Sequence, residues 1–186
     1  MEAIRQALPE DAAQIARFII QAMGSLAKKF AGTSNPSAIN ALFEHFAAQP
    51  ANQYSYENTL VYEDENAIYG AITAYDGADL EVLRSPFLAY VKANGASVFS
   101  PETETQAGEY YIDCLGVSAE KQGQGIGKKL ILGLIEKART LGHHKVGLIV
   151  SKDNPQAEKL YARLGFDVVD KKQFMGEEYL HMQYDC

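Results

Sequence analysis

Between Ala12 and Met23 the apolar residues fall at Ala12, Ile15, Ala16, Ile19, Ala22 and Met23, the spacing of one helical face. The pattern predicts a helix from near Pro9, preceded by a short strand within residues 2–8. A loop with Gly32 leads to Asn35-Pro36. A second helix follows, with Pro36 in its first turn and Ile39, Leu42, Phe43 and Phe46 on one face. The period then shortens. Residues 58–63 and 67–75 are β-rich runs, and Glu63-Asp64-Glu65-Asn66 between them reads as a hairpin. Residues 77–107 keep neither period. Leu80, Leu83, Pro86, Phe87, Leu88, Tyr90 and Val91 are followed by the polar stretch PETETQAGE. The expectation is an insertion with one or two short helices, too broken for a single long one.

From residue 109 the pattern sharpens into a strand at 109–117, a helix at 125–141, a strand at 145–150 and a helix at 154–164. Strands near 166–170 and 178–184 complete the chain. In the helix at 125–141, Leu130, Ile131, Leu134, Ala138 and Leu141 form the apolar stripe, and Gly142 stops it. Strand, helix and strand of these lengths make a right-handed parallel crossover. The class is therefore α/β, and 186 residues suit a single domain over 1–186.

Composition narrows the setting. With 47% apolar and 22% charged residues the chain can bury a core of its own. Its two cysteines, Cys114 and Cys186, make neither a disulfide framework nor a zinc site, which suits the reducing cytoplasm. No stretch approaches the roughly 20 apolar residues of a membrane span, and the N-terminus lacks the apolar core of a signal peptide. The formal charge of −7 argues against general affinity for nucleic acid.

The candidate chemistry begins at Gln122-Gly123-Gln124-Gly125-Ile126-Gly127, between a predicted strand and helix. Glycines leave amide hydrogens unobstructed, and the first helical turn adds unpaired donors, so such a turn suits a pyrophosphate. Lys128 and Lys129 follow and add positive charge. A Walker loop needs four residues before its Gly-Lys-Ser/Thr, whereas three separate Gly123 from Gly127 and Lys129 replaces the hydroxyl. A dinucleotide fingerprint needs its third glycine one residue later, and the next strand ends in Val150-Ser151-Lys152 without an acidic ribose partner.

Gln122-x-x-Gly125-x-Gly127 after YYIDCLGV resembles the pyrophosphate signature of the GCN5-related N-acetyltransferases. Asn154-Pro155-Gln156-Ala157, then Leu160-Tyr161 and Leu164-Gly165-Phe166, is similar to that family's second signature helix and its exit. The resemblance is detailed over residues 109–170 and architectural before them. It implies a twisted mixed sheet of six or seven strands flanked by about four helices, with two central parallel strands splayed around the pantetheine arm. Acetyl-CoA would be the co-substrate, with no metal, and a primary amine of a small molecule or peptide the acceptor. The alternative is a non-catalytic acyl-CoA binding module; a different phosphate ligand on the Gly-rich turn is a more distant one. A homodimer is among the assemblies the family uses.

The same resemblance assigns backbone at Leu115, Gly116 and Val117 to the arm, and Gln122, Gly123, Gln124, Gly125, Ile126, Gly127 and Lys128 to the pyrophosphate. Asn154 and Ala157 lie beside the arm, Asn154 also capping its helix. Tyr161, one turn past Ala157, is the expected general acid to the departing sulfur. For the base, alternation puts Glu109, Tyr111, Asp113, Leu115 and Val117 on one strand face. Asp113 is the first candidate and Glu109 the second; Tyr111 stands where the histone-modifying members carry their acid. Cys114 is expected on the opposite face as a core residue, and His143 and His144 on the surface. The acceptor site is expected among residues 20–46 and 77–107, where Asp76, Asp79, Glu81, Glu102 and Glu104 either attract a cationic amine or form a solvated surface.

Overall fold

Seven strands form one sheet in a computed structural model that describes residues 2–65, 67–97 and 100–186. In chain order the elements are β1 (Ala3–Gln6), α1 (Ala12–Met23), α2 (Ser25–Ala31), α3 (Pro36–Ala47), β2 (Thr59–Glu63), β3 (Ile68–Asp76) and α4 (Leu80–Ala93). They continue as β4 (Tyr110–Val117), α5 (Ile126–Thr140), β5 (Lys145–Ser151), α6 (Pro155–Arg163), β6 (Asp167–Phe174) and β7 (Glu177–Asp185). The strand order is β1-β2-β3-β4-β5-β7-β6. Every neighbouring pair is antiparallel except β4 and β5. No helix among the described residues is long and apolar enough to cross a membrane.

The helices cover the two faces of this sheet. On one face Ile15, Ile19, Phe43, Phe46 and Phe87 pack with Val61, Ala71 and Cys114. On the other, Leu130, Ile131, Leu134 and Ala138 of α5 pack on Ile72, Ile112, Leu148 and Met182. The α5 stripe is as expected except that the helix ends at Thr140, leaving Leu141 exposed.

Three elements differ from expectation. Gly24, with φ +55°, breaks the first helical region, and α2 follows it with Ala27 and Phe30 buried. Residues 80–93 form one helix rather than short pieces, with Pro86 inside it. Its buried stripe is Leu80, Arg84, Phe87 and Val91. The regular spacing was hidden because one of the four positions carries a guanidinium. The final hairpin is longer than expected, β6 reaching Phe174 and turning at Met175-Gly176, both with positive φ. Asn66 of the expected β2–β3 turn lies outside the described residues.

Two irregularities of β4 shape the centre of the molecule. It pairs with β5 only at Tyr110–Val146, Tyr111–Gly147 and Ile112–Leu148. Beyond Ile112 the parallel strands part, and the β4 edge facing the gap has no strand partner. On its other side the register against β3 jumps from Ile112–Ala74 to Cys114–Thr73, which leaves Asp113 as the extra residue of a bulge. The bulge resets the alternation. Tyr110, Ile112, Leu115 and Val117 face α5, whereas Tyr111, Asp113 and Cys114 face the side of α1 and α3. The expected common face of Glu109 through Val117 is thus broken at Asp113. Cys114 shares the Asp113 side, its Sγ 3.7 Å from Oδ1.

Candidate active site

A cleft of about 1050 Å³ opens where β4 and β5 part. Its wall takes in Leu115, Gly116 and Val117 of β4, the turn at Gln122, Gly123 and Gly125, and Ile126, Gly127 and Lys128 of α5. From the other side come Asn154, Ala157 and Tyr161. Two expected residues do not line it. Gln124 is exposed and directs its amide at the Glu120 carbonyl 3.5 Å away. Glu109 is fully buried elsewhere, its Oε2 accepting from Gln183 Nε2 at 2.8 Å and lying 2.9 Å from His181 Nε2.

The turn owes its shape to backbone freedom. Gly123 and Gly125 have φ of +77° and +81°, and no atom lies within 4 Å of a Cβ added at either. A side chain there would be excluded by conformation, not by space. No side chain caps α5 at Gly125, and the amides of residues 123–128 have no hydrogen-bond acceptor among the described residues. They form a donor nest at the positive end of a helix. Gln122 braces it by donating from Nε2 to the Val117 carbonyl at 3.3 Å. Lys128 is exposed at the cleft, whereas Lys129 turns away to Glu2 and Tyr62. Gly116 serves packing instead: a Cβ there would meet the Phe18 carbonyl oxygen at 2.7 Å.

Asn154 caps α6, its Oδ1 accepting from the Ala157 amide at 3.1 Å. One turn on, the Tyr161 ring packs on Phe166 at 5.7 Å between centroids. Burial, with Cys114 nearby, pushes its phenol up to about 12. The group therefore stays protonated across the neutral range and is a hydrogen-bond donor there. His143 packs on the Tyr110 ring and His144 is exposed, both outside the cleft.

Asp113 reaches the cleft from the bulge. Its Oδ2 accepts from Gln53 Nε2 at 2.6 Å and from the Tyr75 hydroxyl at 2.7 Å. Beyond it lies a second carboxylate, Glu104, also in the wall. Arg84 of α4 pairs with Glu104 Oε1 and donates to Gln53 Oε1 at 3.3 Å, so one polar chain links Glu104, Arg84, Gln53, Asp113 and Tyr75. Burial pushes the Glu104 carboxyl up to about 7; Arg84 opposes the rise and Asp113 adds to it. Tyr54, Tyr75 and Tyr111 around this chain are raised well above ordinary phenols, chiefly by burial.

The acidic residues expected to draw an amine thus divide. Asp76 caps the turn at Ala78, Glu102 accepts from the Met175 amide, and Asp79 and Glu81 are exposed outside the cleft. Only Glu104 of the five lines it. Gln53, Tyr75 and Arg84 were not singled out from the sequence. Arg84 had a signal, a charge on an otherwise apolar helical stripe; Gln53 had none.

Comparison with known proteins bears on the fold. The family model described as the Acetyltransferase (GNAT) family matches residues 26–166. A crystal structure of an acetyltransferase superposes with a TM-score of 0.83 at 32% identity, covering 98% of both chains. An N-acetyltransferase from Staphylococcus aureus Mu50 gives 0.86 at 26%, covering 98% of this chain and 100% of that one. A mycothiol acetyltransferase of Pseudarthrobacter chlorophenolicus is 48% identical over 59 residues, 32% of this chain but only 18% of that protein's length.

Proposed function

Because the chain belongs to the GNAT acetyltransferase family, we propose that it moves the acetyl group of acetyl-CoA directly to a primary amine of a small molecule or peptide. One observation carries the reading: unpaired amides at the Gly123–Gly125 turn, the gap between β4 and β5, and the Tyr161 ring share a single cleft. The nest holds the pyrophosphate, with Lys128 beside it. Backbone at Leu115 to Val117, paired with β3 on one side and open on the side of the gap, bonds the amides of the pantetheine arm as another strand would. Asn154 and Ala157 flank the arm.

The acceptor approaches from the Asp113 side, where the carboxylate held by Gln53 and Tyr75 takes its ammonium group as counter-ion. After the amine loses a proton, its lone pair attacks the thioester carbonyl; the C–N bond forms and the C–S bond breaks. Sulfur leaves as a thiolate whose proton affinity corresponds to a pKa near 8.5. A phenol at about 12 donates a hydrogen bond to that developing charge, while complete transfer from the phenol alone would run uphill. The second proton of the attacking nitrogen supplies the difference through the tyrosine and solvent. Glu109, outside the cleft, has no part in these steps. The mycothiol acetyltransferase match covers too little of that protein to bring its acceptor with it.

A panel of primary amines with acetyl-CoA, read by release of free thiol, tests the proposal. Turnover with at least one amine is expected, together with thermal stabilisation by coenzyme A but not by ATP or NAD. Stabilisation without turnover would leave a binding module, and no stabilisation would remove the donor assignment.

A further inference from the structure

We propose that Glu104, delivered from the segment between α4 and β4, is the group that takes the proton from the acceptor ammonium. The inference rests on the acetyl-transfer reading and deepens it. A carboxylate on β4 itself was the expectation, but Asp113 already accepts two hydrogen bonds on one oxygen and is suited to holding a cation. Glu104 is differently placed. It is 3% exposed and forms part of the cleft wall, and its Oε2 has no hydrogen-bond partner among the described residues. Its other oxygen is paired with Arg84, itself 5% exposed, so the carboxylate keeps a counter-charge while one buried oxygen is left unpaired behind the cleft wall.

The segment bearing Glu104 is fixed at several points. Lys172 of β6 donates to the Glu104 carbonyl at 2.9 Å, and the Thr105 hydroxyl donates to the Gly77 carbonyl at 2.6 Å. Arg84 Nη1 also donates to the Glu102 carbonyl at 3.3 Å. The carboxylate is therefore positioned before any acceptor binds, which is what proton transfer within a cleft requires. A carboxyl near 7 is also half-ionised at neutral pH, where a base accepts a proton and returns it with little cost.

The ammonium N–H bond breaks, its proton moves to Glu104 Oε2, and the freed lone pair goes to the thioester carbon. Glu104 later passes the proton on to solvent. The titratable groups around it are Arg84 of α4, Asp113, Tyr111 and Cys114 of β4, Tyr75 of β3, Tyr54 before β2 and Lys172 of β6. Burial holds the three tyrosines and Cys114 in their protonated forms, so variants at the two carboxylates separate the remaining contributions.

The test compares wild type, Glu104→Gln and Asp113→Asn across pH with the best alkylamine of the panel and with hydroxylamine. Hydroxylamine is already neutral at pH 7 and needs no base to free its lone pair. Glu104→Gln is expected to lower kcat for the alkylamine by about 10²-fold and to erase the acid limb of the pH profile. With hydroxylamine it should stay within about threefold of wild type. Asp113→Asn should raise KM for the alkylamine and keep the limb. An acid limb surviving in Glu104→Gln, or equal losses with both acceptors, would overturn the proposal. Coenzyme A protection checks that the variant is folded. If it is not, Glu104→Asp takes its place, and an unmoved limb with kcat within twofold of wild type is the overturning result. A wild type inactive with every amine overturns the acetyl-transfer reading itself, and this one with it.

Discussion

Tyr75 on β3 donates its hydroxyl hydrogen to Asp113 Oδ2 across 2.7 Å, at the bulge where β4 slips by one residue against its neighbour. The bond explains how a carboxylate can stand in a sheet beside buried aromatics: the bulge turns it toward the cleft and the phenol donates a hydrogen bond to its oxygen. Tyr75→Phe should leave coenzyme A binding unchanged and weaken the alkylamine KM about tenfold. The half-buried charge would lose a bond worth about 1.5–3 kcal/mol. Steady-state kinetics and a denaturant titration of the same variant check both effects.

Removing the Tyr161 hydroxyl bears on the sulfur side alone. Tyr161→Phe is expected to lower kcat by roughly 10²-fold with coenzyme A affinity nearly intact, since the ring and its packing on Phe166 persist. Calorimetric binding alongside turnover would show the split, and an undiminished kcat would remove the phenol from the mechanism.

The glycines of the cleft divide into two kinds. Gly125→Ala forces a side chain into φ +81° and should cost about 1–2 kcal/mol, felt mostly as weaker coenzyme binding as the turn distorts. Gly116→Ala drives a methyl against the Phe18 backbone at 2.7 Å and should chiefly lower the melting temperature. Thermal melts with and without coenzyme A separate the two.

Glu109 and His181 form a sealed pair beneath β5, where the Glu109 carboxylate fills the space over Gly147. Glu109→Ala should destabilise the fold by about 3 kcal/mol, because it strands buried polar partners. Glu109→Gln should keep the acid limb of the pH–rate profile. Loss of that limb would restore Glu109 to the chemistry.

The raised carboxyl of Glu104 has a thermodynamic signature of its own. Its folded pKa, about 7, lies above the ordinary carboxylate value of 4.5. Between these two values the unfolded chain has released the proton while the folded one keeps it, so stability falls as pH rises. Below 4.5 this contribution is complete, and above 7 it is gone. The difference in unfolding free energy between wild type and Glu104→Gln should slope across that window and flatten outside it.

The half proposed to hold the acetyl donor was legible because its requirements are local. Positive-φ glycines, a capped helix start at Asn154 and the tyrosine one turn past Ala157 leave their mark within a few residues. The half proposed to take the acceptor is built across the fold. Gln53, Tyr75, Arg84, Glu104 and Asp113 meet from five separate segments, and no short window contains two of their contacts. Period-two alternation failed at Asp113 because a bulge inserts a residue that composition does not announce. The helix at 80–93 was read as one or two short pieces because Arg84 sits on its inner stripe, buried against a partner 20 positions away.

That one-residue slip in β4 has an evolutionary reading. It acts as a seam: residues downstream of it line the cleft where β4 and β5 part, while Tyr111 just upstream packs with Leu80 of α4. On the acetyl-transfer reading proposed above, exchange of residues 77–107 would re-tool which nitrogen is accepted and leave the thioester grip unaltered. A lineage of such proteins can diversify its acceptors one surface segment at a time.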